Sequence, residues 1–373
     1  MKALFAINQL SGLVGGSLVP LEVAEYLQGM GHACTIAANH VDEPLASLVR
    51  RRGIAVSDDI SALNAFDFDL VWLQNHTAPL LEYELTGESV ARTLFVFTHL
   101  SGLTFHENPG LAFEPLLADV TIANSENLKS HLTQLAVPPD SILVYPNPAP
   151  AGFWRIRSDA EPAQLPTTVQ LISNHAPQEV TDALALIGQR GISTAHIGLE
   201  GSYVRVTPEM LRRGSAIVSI GKSVQYAIAS GIPPYVYDRW GGPGYLTAEN
   251  FEQVAKANFS GRCSFRKIDG RQIAEEIVEG FAAARRFVTA LPADQLHRYR
   301  MEPYVDKLLS KIGAAPSNIE RLEAMTRQAP WLHRERFMAF GIRDNFKGHN
   351  AGNAKIRQLR HAIRKLKRQL RHR

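Results

Sequence analysis

Two sets of short apolar runs alternating with amphipathic segments, separated by a proline-rich break, constrain this chain more than any other feature. In the first set, strand-like runs fall at Ala3–Ile7, Cys34–Ala37, Leu70–Leu73, Leu94–Phe97, Val120–Ala123 and Ile142–Val144, with helical patterns such as Pro20–Met30 and Glu126–Leu135 between them. Parallel strands need long crossovers, so this alternation predicts a parallel, doubly wound sheet. The segment Tyr145-Pro146-Asn147-Pro148-Ala149-Pro150, followed by Pro162 and Pro166, cannot continue a sheet, because proline supplies no ladder N–H. A second set then begins. It has strands at Val169–Ser173, Thr194–Ile197, Ala216–Ile220 and Tyr235–Tyr237, and helices at Pro177–Arg190, near Pro208–Arg213 and at Ser223–Ala229. From Arg271 the chain reads as mostly helical, with Ile273, Ile277, Phe281 and Ala284 forming a core-packing stripe.

The expected fold class is therefore α/β: two tandem Rossmann-like domains with a helical C-terminal extension. The partition is 1–146, a linker at 147–166, a second domain at 167–290, a helical extension at 291–344 and a basic tail at 345–373. The length of 373 residues suits two domains, and 45% hydrophobic with 20% charged residues is the balance of a soluble globular protein. Cys34 and Cys263 form no C-x-x-C pattern, so neither a disulfide framework nor a zinc site is expected, and a reducing cytoplasm fits. Lys2 precedes an apolar run that breaks at Asn8-Gln9, which reads as a first buried strand rather than a signal peptide. No run approaches the roughly 18 apolar residues of a membrane-spanning helix.

The net charge of +4 hides an asymmetry. After Asp344 there are ten Lys/Arg residues and no acid, which leaves 30 Lys/Arg against 36 Asp/Glu, a charge of −6, on the remainder. Within the tail, Ile356, Leu359, Ile363, Leu366 and Leu370 recur at helical spacing among Arg357, Arg360, Arg364, Lys365, Lys367 and Arg368. Residues 352–373 thus read as a short amphipathic basic helix suited to an anionic membrane surface or a partner protein. Nucleic acid is ranked last, since no aromatic interleaving or recognised motif accompanies the charge.

Two glycine-bearing turns could hold an anion. Ser11-Gly12-Leu13-Val14-Gly15-Gly16-Ser17 leads from a strand into a helix and would let backbone amides approach a phosphate. Ile217–Leu246 reads as strand, Gly-Lys-Ser turn, helix, Gly-Ile-Pro break, second strand and a glycine-rich loop. Here Lys222 and Arg239 are candidate cations and Ser223 a candidate N-cap. Gly241, Gly242 and Gly244 would bend the backbone so that the N–H groups of Gly242, Gly244 or Tyr245 converge. A P-loop is excluded, because G-x-x-x-x-G-K-S needs glycine at position 216, which is Ala216.

These segments resemble the GT-B fold of glycosyltransferases, and family 4-like enzymes in particular, over about residues 1–290. Leu27-Gln28-Gly29-Met30-Gly31-His32-Ala33-Cys34-Thr35-Ile36 looks like their helix–Gly-His–strand segment. Ile122-Ala123-Asn124-Ser125-Glu126-Asn127-Leu128-Lys129 resembles their serine-bearing helix start, and Val144-Tyr145-Pro146-Asn147-Pro148 their interdomain linker. Leu171-Ile172-Ser173-Asn174-His175-Ala176-Pro177 completes the pattern. The resemblance implies an acceptor-side first domain, a donor-side second domain, a nucleotide-sugar donor, and a glycan or lipid-linked acceptor in bacterial surface polysaccharide synthesis. It implies no cofactor and a reaction without a tightly bound metal, with helix dipoles, amides and cations stabilising the leaving diphosphate.

The resemblance also assigns roles. Gly15, Gly16, Asn174 and His175 would border the donor. His99, at the end of Phe95-Val96-Phe97-Thr98-His99, matches a histidine placed near the donor sugar, able to orient a sugar hydroxyl or to act as a base if the chemistry inverts. Apart from the resemblance, His76 occupies a similar strand end with a weaker claim, and Glu107 is a second candidate base for inverting chemistry. The pattern breaks at one position. A ribose-binding glutamate is expected five residues before Gly231, where this chain has Tyr226, with Gln225 beside it. Gln225 could still bond a hydroxyl, without charge assistance. Asp67-Phe68-Asp69 spells D-x-D but precedes a strand, the wrong edge for a ligand. Two other readings stand: a sugar-nucleotide epimerase of the same fold, which needs convergent carboxylates, and a non-catalytic glycan- or membrane-binding scaffold.

Overall fold

The computed structural model describes residues 1–102, 107–154 and 163–349. Residues 350–373, which include the amphipathic stretch 352–373 of the basic tail, fall outside them. Among the described residues, twelve strands form two sheets. The first contains β1 (Lys2–Leu10), β2 (Ala33–Val41), β3 (Ala55–Ser57), β4 (Leu70–Gln74), β5 (Leu94–His99), β6 (Val120–Ala123) and β7 (Ile142–Val144), in the order β3-β2-β1-β4-β5-β6-β7. All its pairings are parallel. The second contains β8 (Thr168–Ile172), β9 (Ser193–Ile197), β10 (Ala216–Ser219), β11 (Pro234–Asp238) and β12 (Gly241–Tyr245), in the order β12-β11-β10-β8-β9. It is parallel except for β12, which pairs antiparallel to β11. These are the two Rossmann-like sheets of the GT-B fold.

The central strands are apolar on both faces because both faces are covered. On one side of the first sheet, Phe5, Trp72 and Val96 pack with Val19, Val23 and Leu27 of the Gly15–Gly29 helix. On the other, Leu4, Val71 and Phe95 pack with Phe66, Phe113 and Tyr83. In the second sheet, Val169, Val218 and Tyr235 meet Val180 and Ile187 of the Gln178–Gln189 helix and Ile273, Ile277 and Phe281 beyond it. The stripe at 273–284 is thus core.

The helical extension is not independent of the first domain. Met301, Val305 and Leu308 complete the Phe5/Trp72 core, while Met325, Leu332 and Ala339 join the Phe66/Phe95 core. Arg321 fixes the return, bridging Asp119 at 2.6 Å and donating to the Leu117 carbonyl at 3.0 Å. The chain therefore enters the second domain once and comes back to the first.

Two local expectations are corrected. The segment at Gly241–Tyr245 is an edge strand, not a phosphate-cradling loop. Its glycines are required by close backbone packing: a Cβ at Gly242 would lie 2.0 Å from the Val236 carbonyl oxygen, and one at Gly241 2.1 Å from that of Arg266. Gly241 and Gly244 also have φ of 93° and 82°, the region that favours glycine. The Gly242 amide is already spent on the Arg266 carbonyl at 2.9 Å. Pro243 is tolerated because the strand is an edge. The second correction concerns Ser223. The Lys222–Ser230 helix is preceded by Gly221 as N-cap (φ 55°), so Ser223 sits inside its first turn. Gly231 ends that helix in the left-handed conformation, as the Gly-Ile-Pro break requires.

The Gly242→Ala variant is expected to lose about 2–3 kcal/mol of stability through backbone overlap. A urea titration with a lower midpoint and an unchanged slope checks this.

Candidate functional site

Both sheets present the carboxyl ends of their strands to one interdomain cleft, the place where open α/β sheets bind ligands. The cleft encloses about 590 Å³, within the ordinary range for ligand sites of roughly 300–1,000 Å³. Two helix starts border it. Gly15 and Gly16 open the Gly15–Gly29 helix, and a Cβ at either would meet nothing within 4 Å, so the approach to these amides is unobstructed. Across the cleft, Gly221 and Ser223 flank the start of the Lys222–Ser230 helix. Two N-terminal helix ends facing one space attract an anion through their free N–H groups and dipoles.

The strand-end turn after β11 adds Asp238, Arg239 and Trp240 to the wall. Asp238 is fixed from three sides, accepting from the Trp240 amide at 2.7 Å, the Gly261 amide at 3.1 Å and the Ser260 hydroxyl at 3.2 Å. Arg239 lies over the Trp240 ring at 5.0 Å and makes no ion pair with a carboxylate among the described residues. Trp240 is 38% exposed and stands edge-on to Phe265.

The structure gathers Gly15, Gly16, Asn174, His175, Lys222, Ser223, Tyr226 and Arg239 on this wall. Several are already engaged. Asn174 donates to the Leu13 carbonyl of the opposite domain at 3.2 Å, and the Leu13 amide donates to Tyr203 at 2.9 Å. These bonds tie the first glycine-rich turn to the second domain. His175 is exposed, its amide bonded to Ser173.

Lys222 is not a free cation. It is buried, with its ammonium 2.6 Å from the Glu22 carboxylate on the Gly15–Gly29 helix and 3.2 Å from the Pro148 carbonyl. Burial pushes the Lys222 ammonium below the ordinary lysine value, and the Glu22 charge opposes that shift. Tyr226 donates its hydroxyl to the same Glu22 and stacks on Phe153 at 3.9 Å; burial first, and then the charge and hydrogen bond of Glu22, push its pKa well above the usual tyrosine value. Arg205, also from the second domain, clasps Glu25 with two bonds of 2.6 and 2.7 Å and lies 3.8 Å from Glu22. Position 226 therefore carries no carboxylate of its own. Its tyrosine instead captures one from the other domain.

Other expected residues lie elsewhere. Gln225 is fully buried and donates to Asn258 at 2.9 Å, so it faces no ribose. Asn147 donates to the same oxygen at 3.1 Å. Gly241, Gly242 and Gly244 lie in β12, and Tyr245 is buried with its hydroxyl on the Ile277 carbonyl at 3.0 Å. His99 is at the end of β5 but behind the cleft wall. One ring nitrogen meets Glu114 at 2.9 Å and the other the Glu107 carbonyl at 2.7 Å. Burial alone would lower its pKa; the Glu114 bond and charge outweigh that and raise it. The Glu107 carboxylate is held by Asn75 at 2.9 Å and by the Leu100 amide at 2.8 Å. His99 and Glu107 thus shape the Leu100 corner. His76 borders a small side cavity with His99, on a strand-end turn where Asn75 and His76 both have positive φ.

Asp69 accepts from the Lys2 amide at 2.7 Å at the opposite edge of the sheet. Among the described residues, no group of three or more His, Cys, Asp or Glu is placed to hold a metal ion, and no helix is long and apolar enough to cross a membrane. Cys34 and Cys263 are free, and burial raises the Cys34 thiol to about 11.

Sequence reasoning missed Glu22, Arg205, Tyr203, Asp238, Trp240, Asn258 and Arg262. Glu22 had one available signal: a carboxylate on the apolar face of a helix calls for a buried partner.

Three solved structures are similar over most of the chain. Anabaena Alr3699/HepE in complex with UDP and glucose has 12% identity and a TM-score of 0.52, covering 84% of this chain and 100% of that one. The same protein in complex with UDP-glucose gives 12% identity, a TM-score of 0.50 and the same coverage. The calicheamicin glycosyltransferase CalG4 gives 14% identity and a TM-score of 0.48, covering 84% of this chain and 98% of that one. At such identities the likeness to HepE establishes the fold. No family model and no curated protein sequence matches the chain.

Removing one partner of the Glu22–Lys222 pair should leave a buried charge unsatisfied and cost about 3–5 kcal/mol. Glu22→Gln and Lys222→Met are each expected to show that loss in urea denaturation. Glu22→Gln combined with Lys222→Met should recover part of it, and strict additivity would show that the two groups do not interact.

Proposed function

We propose that the protein is a glycosyltransferase that moves a sugar from a nucleotide-sugar onto a glycan or lipid-linked acceptor. The observation that carries this reading is the convergence of two helix N-termini, an unpaired Arg239 and an exposed Trp240 on one cleft of GT-B geometry. HepE, a solved protein of this fold, is in complex with UDP and glucose in one structure and with UDP-glucose in another, which makes UDP-glucose the first donor to test. In this reading the diphosphate lies between the Gly15/Gly16 amides and the Lys222/Ser223 amides, the Gly221 amide being bonded to the Phe259 carbonyl at 3.2 Å, with Arg239 as counter-charge. The base stacks against Trp240.

The acceptor oxygen forms a bond to the anomeric carbon. The bond from that carbon to the diphosphate oxygen breaks, the diphosphate leaves with the electron pair, and the hydroxyl proton passes to solvent. The amides and cations stabilise the charge that grows on the diphosphate. Helix dipoles and Arg239 supply this without a resident metal. The segments that resemble family 4-like enzymes, such as Leu27–Ile36 and Val144–Pro148, are what suggest a setting in bacterial surface polysaccharide synthesis. The ribose contact is a departure from them, because Tyr226 and Gln225 are both engaged. The epimerase reading needs paired carboxylates for proton transfer; Asp238 is the one acid on the cleft wall among the described residues, and three donors hold it.

Calorimetric titration should show UDP binding, and incubation with UDP-glucose should release UDP. Trp240→Ala is expected to weaken UDP binding about tenfold, the value of one base stack. Binding of no common nucleoside diphosphate by the folded protein would defeat the reading and favour the scaffold.

The basic amphipathic stretch at 352–373 would hold the protein on an anionic membrane surface in the cytoplasm, close to a lipid-linked acceptor. Deleting residues 350–373 should abolish sedimentation with phosphatidylglycerol vesicles at about 0.15 M salt while sparing UDP binding. Unchanged sedimentation would remove the membrane role.

A further inference from the structure

The interdomain space has a second limb of about 600 Å³. It joins the first through a neck shared by Leu100, Asn124, Ile220, Gly221, Asn258 and Arg262. Beyond the neck it runs between the start of the Glu126–Gln134 helix and the end of the Phe251–Lys256 helix.

The chemistry of this limb is one-sided. Arg262, Lys256 and His131 line it, and among the described residues no aspartate or glutamate does. Neither Arg262 nor Lys256 has a carboxylate within ion-pair distance among the described residues, in contrast to Lys222 and Arg205 on the first limb. Arg262 is oriented by the Ser260 hydroxyl, which accepts from its Nε at 3.2 Å. The rest of the wall alternates apolar Leu100, Leu128, Ile220 and Ala257 with the amides of Asn124, Asn127 and Gln253 and the Ser125 hydroxyl; Asn124 and Gln253 donate to the Leu100 and Cys263 carbonyls, and Ser125 accepts from the Leu128 amide. Uncompensated cations in a cleft focus the field on an anion, and amides and hydroxyls match a ligand rich in hydroxyl groups.

We propose that this second limb binds an acceptor sugar that carries a phosphate group. Arg262 and Lys256 hold the phosphate, and the reacting hydroxyl lies at the neck, beside the donor limb. This rests on the transferase reading and narrows its acceptor to one chemical class. The limb is separate from the donor's diphosphate site, so acceptor and nucleotide bind together. The phosphate can come from a free sugar phosphate or from a lipid-linked sugar diphosphate.

The test is direct binding by calorimetry, with and without UDP. The probes are N-acetylglucosamine, N-acetylglucosamine 1-phosphate and short-chain prenyl-diphosphate N-acetylglucosamine. The phosphorylated probes should bind at least about tenfold more tightly than the neutral sugar. Lys256→Gln should weaken them roughly fivefold, and Lys256→Glu further. Lys256 is exposed, so both variants should fold, which circular dichroism checks. Equal affinity for neutral and phosphorylated sugar, indifference to Lys256→Glu, or displacement of the sugar phosphate by UDP would each overturn the proposal. Tighter binding of the prenyl probe assigns the lipid-linked source, and equal binding the free one; both support the limb. Phosphate-selective binding without turnover of any nucleotide-sugar would sink the transferase reading and leave the limb standing. Turnover onto neutral sugars with no phosphate preference would do the reverse.

Discussion

The buried contact between Glu22 and Lys222 sets the geometry on which the rest of the cleft depends. Each group comes from a helix that starts at the cleft, and each helix packs on a different sheet. A carboxylate and an ammonium this deep in protein are costly to bury alone, so each domain requires the other to satisfy its charge. Tyr226 and Arg205 add two further second-domain contacts to the same helix. The distance between the two helix N-termini, and hence the space left for an anion, follows from this cluster. A nonpolar contact would bring the domains together with less directional control.

The same cluster explains which cations remain for a ligand. Lys222 and Arg205 line the cleft, but Glu22 and Glu25 neutralise them, so their contribution there is structural. Among the described residues, Arg239 on the first limb, Arg262 at the neck and Lys256 in the second limb make no ion pair. A cation with a buried carboxylate 2.6 Å away offers little attraction to an incoming phosphate. One held only by a hydroxyl or an aromatic face offers nearly its full charge.

The sheets were legible because their signals are local. Runs such as Ala3–Ile7 and Val120–Ala123 are short, apolar and bounded, and proline marks the crossing between domains. Ser125 could be recognised as a helix start, and its side chain does accept from the Leu128 amide. β3, at Ala55–Ser57, has too few apolar residues to stand out, and β12 was concealed by its own composition. Glycine reads as a loop in sequence because it loosens the backbone. Here it is needed because Val236 and Arg266 carbonyls occupy the space of any side chain. Gly-Lys-Ser drew attention to Lys222 by type, while its actual role is set by Glu22, some 200 positions away in the chain. Spacing cannot reveal a partner at that separation, nor which of several arginines escapes pairing.

The tyrosine at position 226 is matched to this cluster in a way a carboxylate would not be. A glutamate there would lie beside Glu22, and two buried carboxylates around one lysine would repel each other. Tyrosine converts that conflict into a hydrogen bond, and its ring gains a parallel stack on Phe153 near the domain crossing. Glu22 and Tyr226 are thus mutually dependent: a glutamate placed at 226 would be tolerated only with Glu22 made neutral. On the Lys222–Ser230 helix the Lys222, Gln225 and Tyr226 side chains are committed to holding the two domains and Asn258 in place, so under the transferase reading none of the three is available to a ribose.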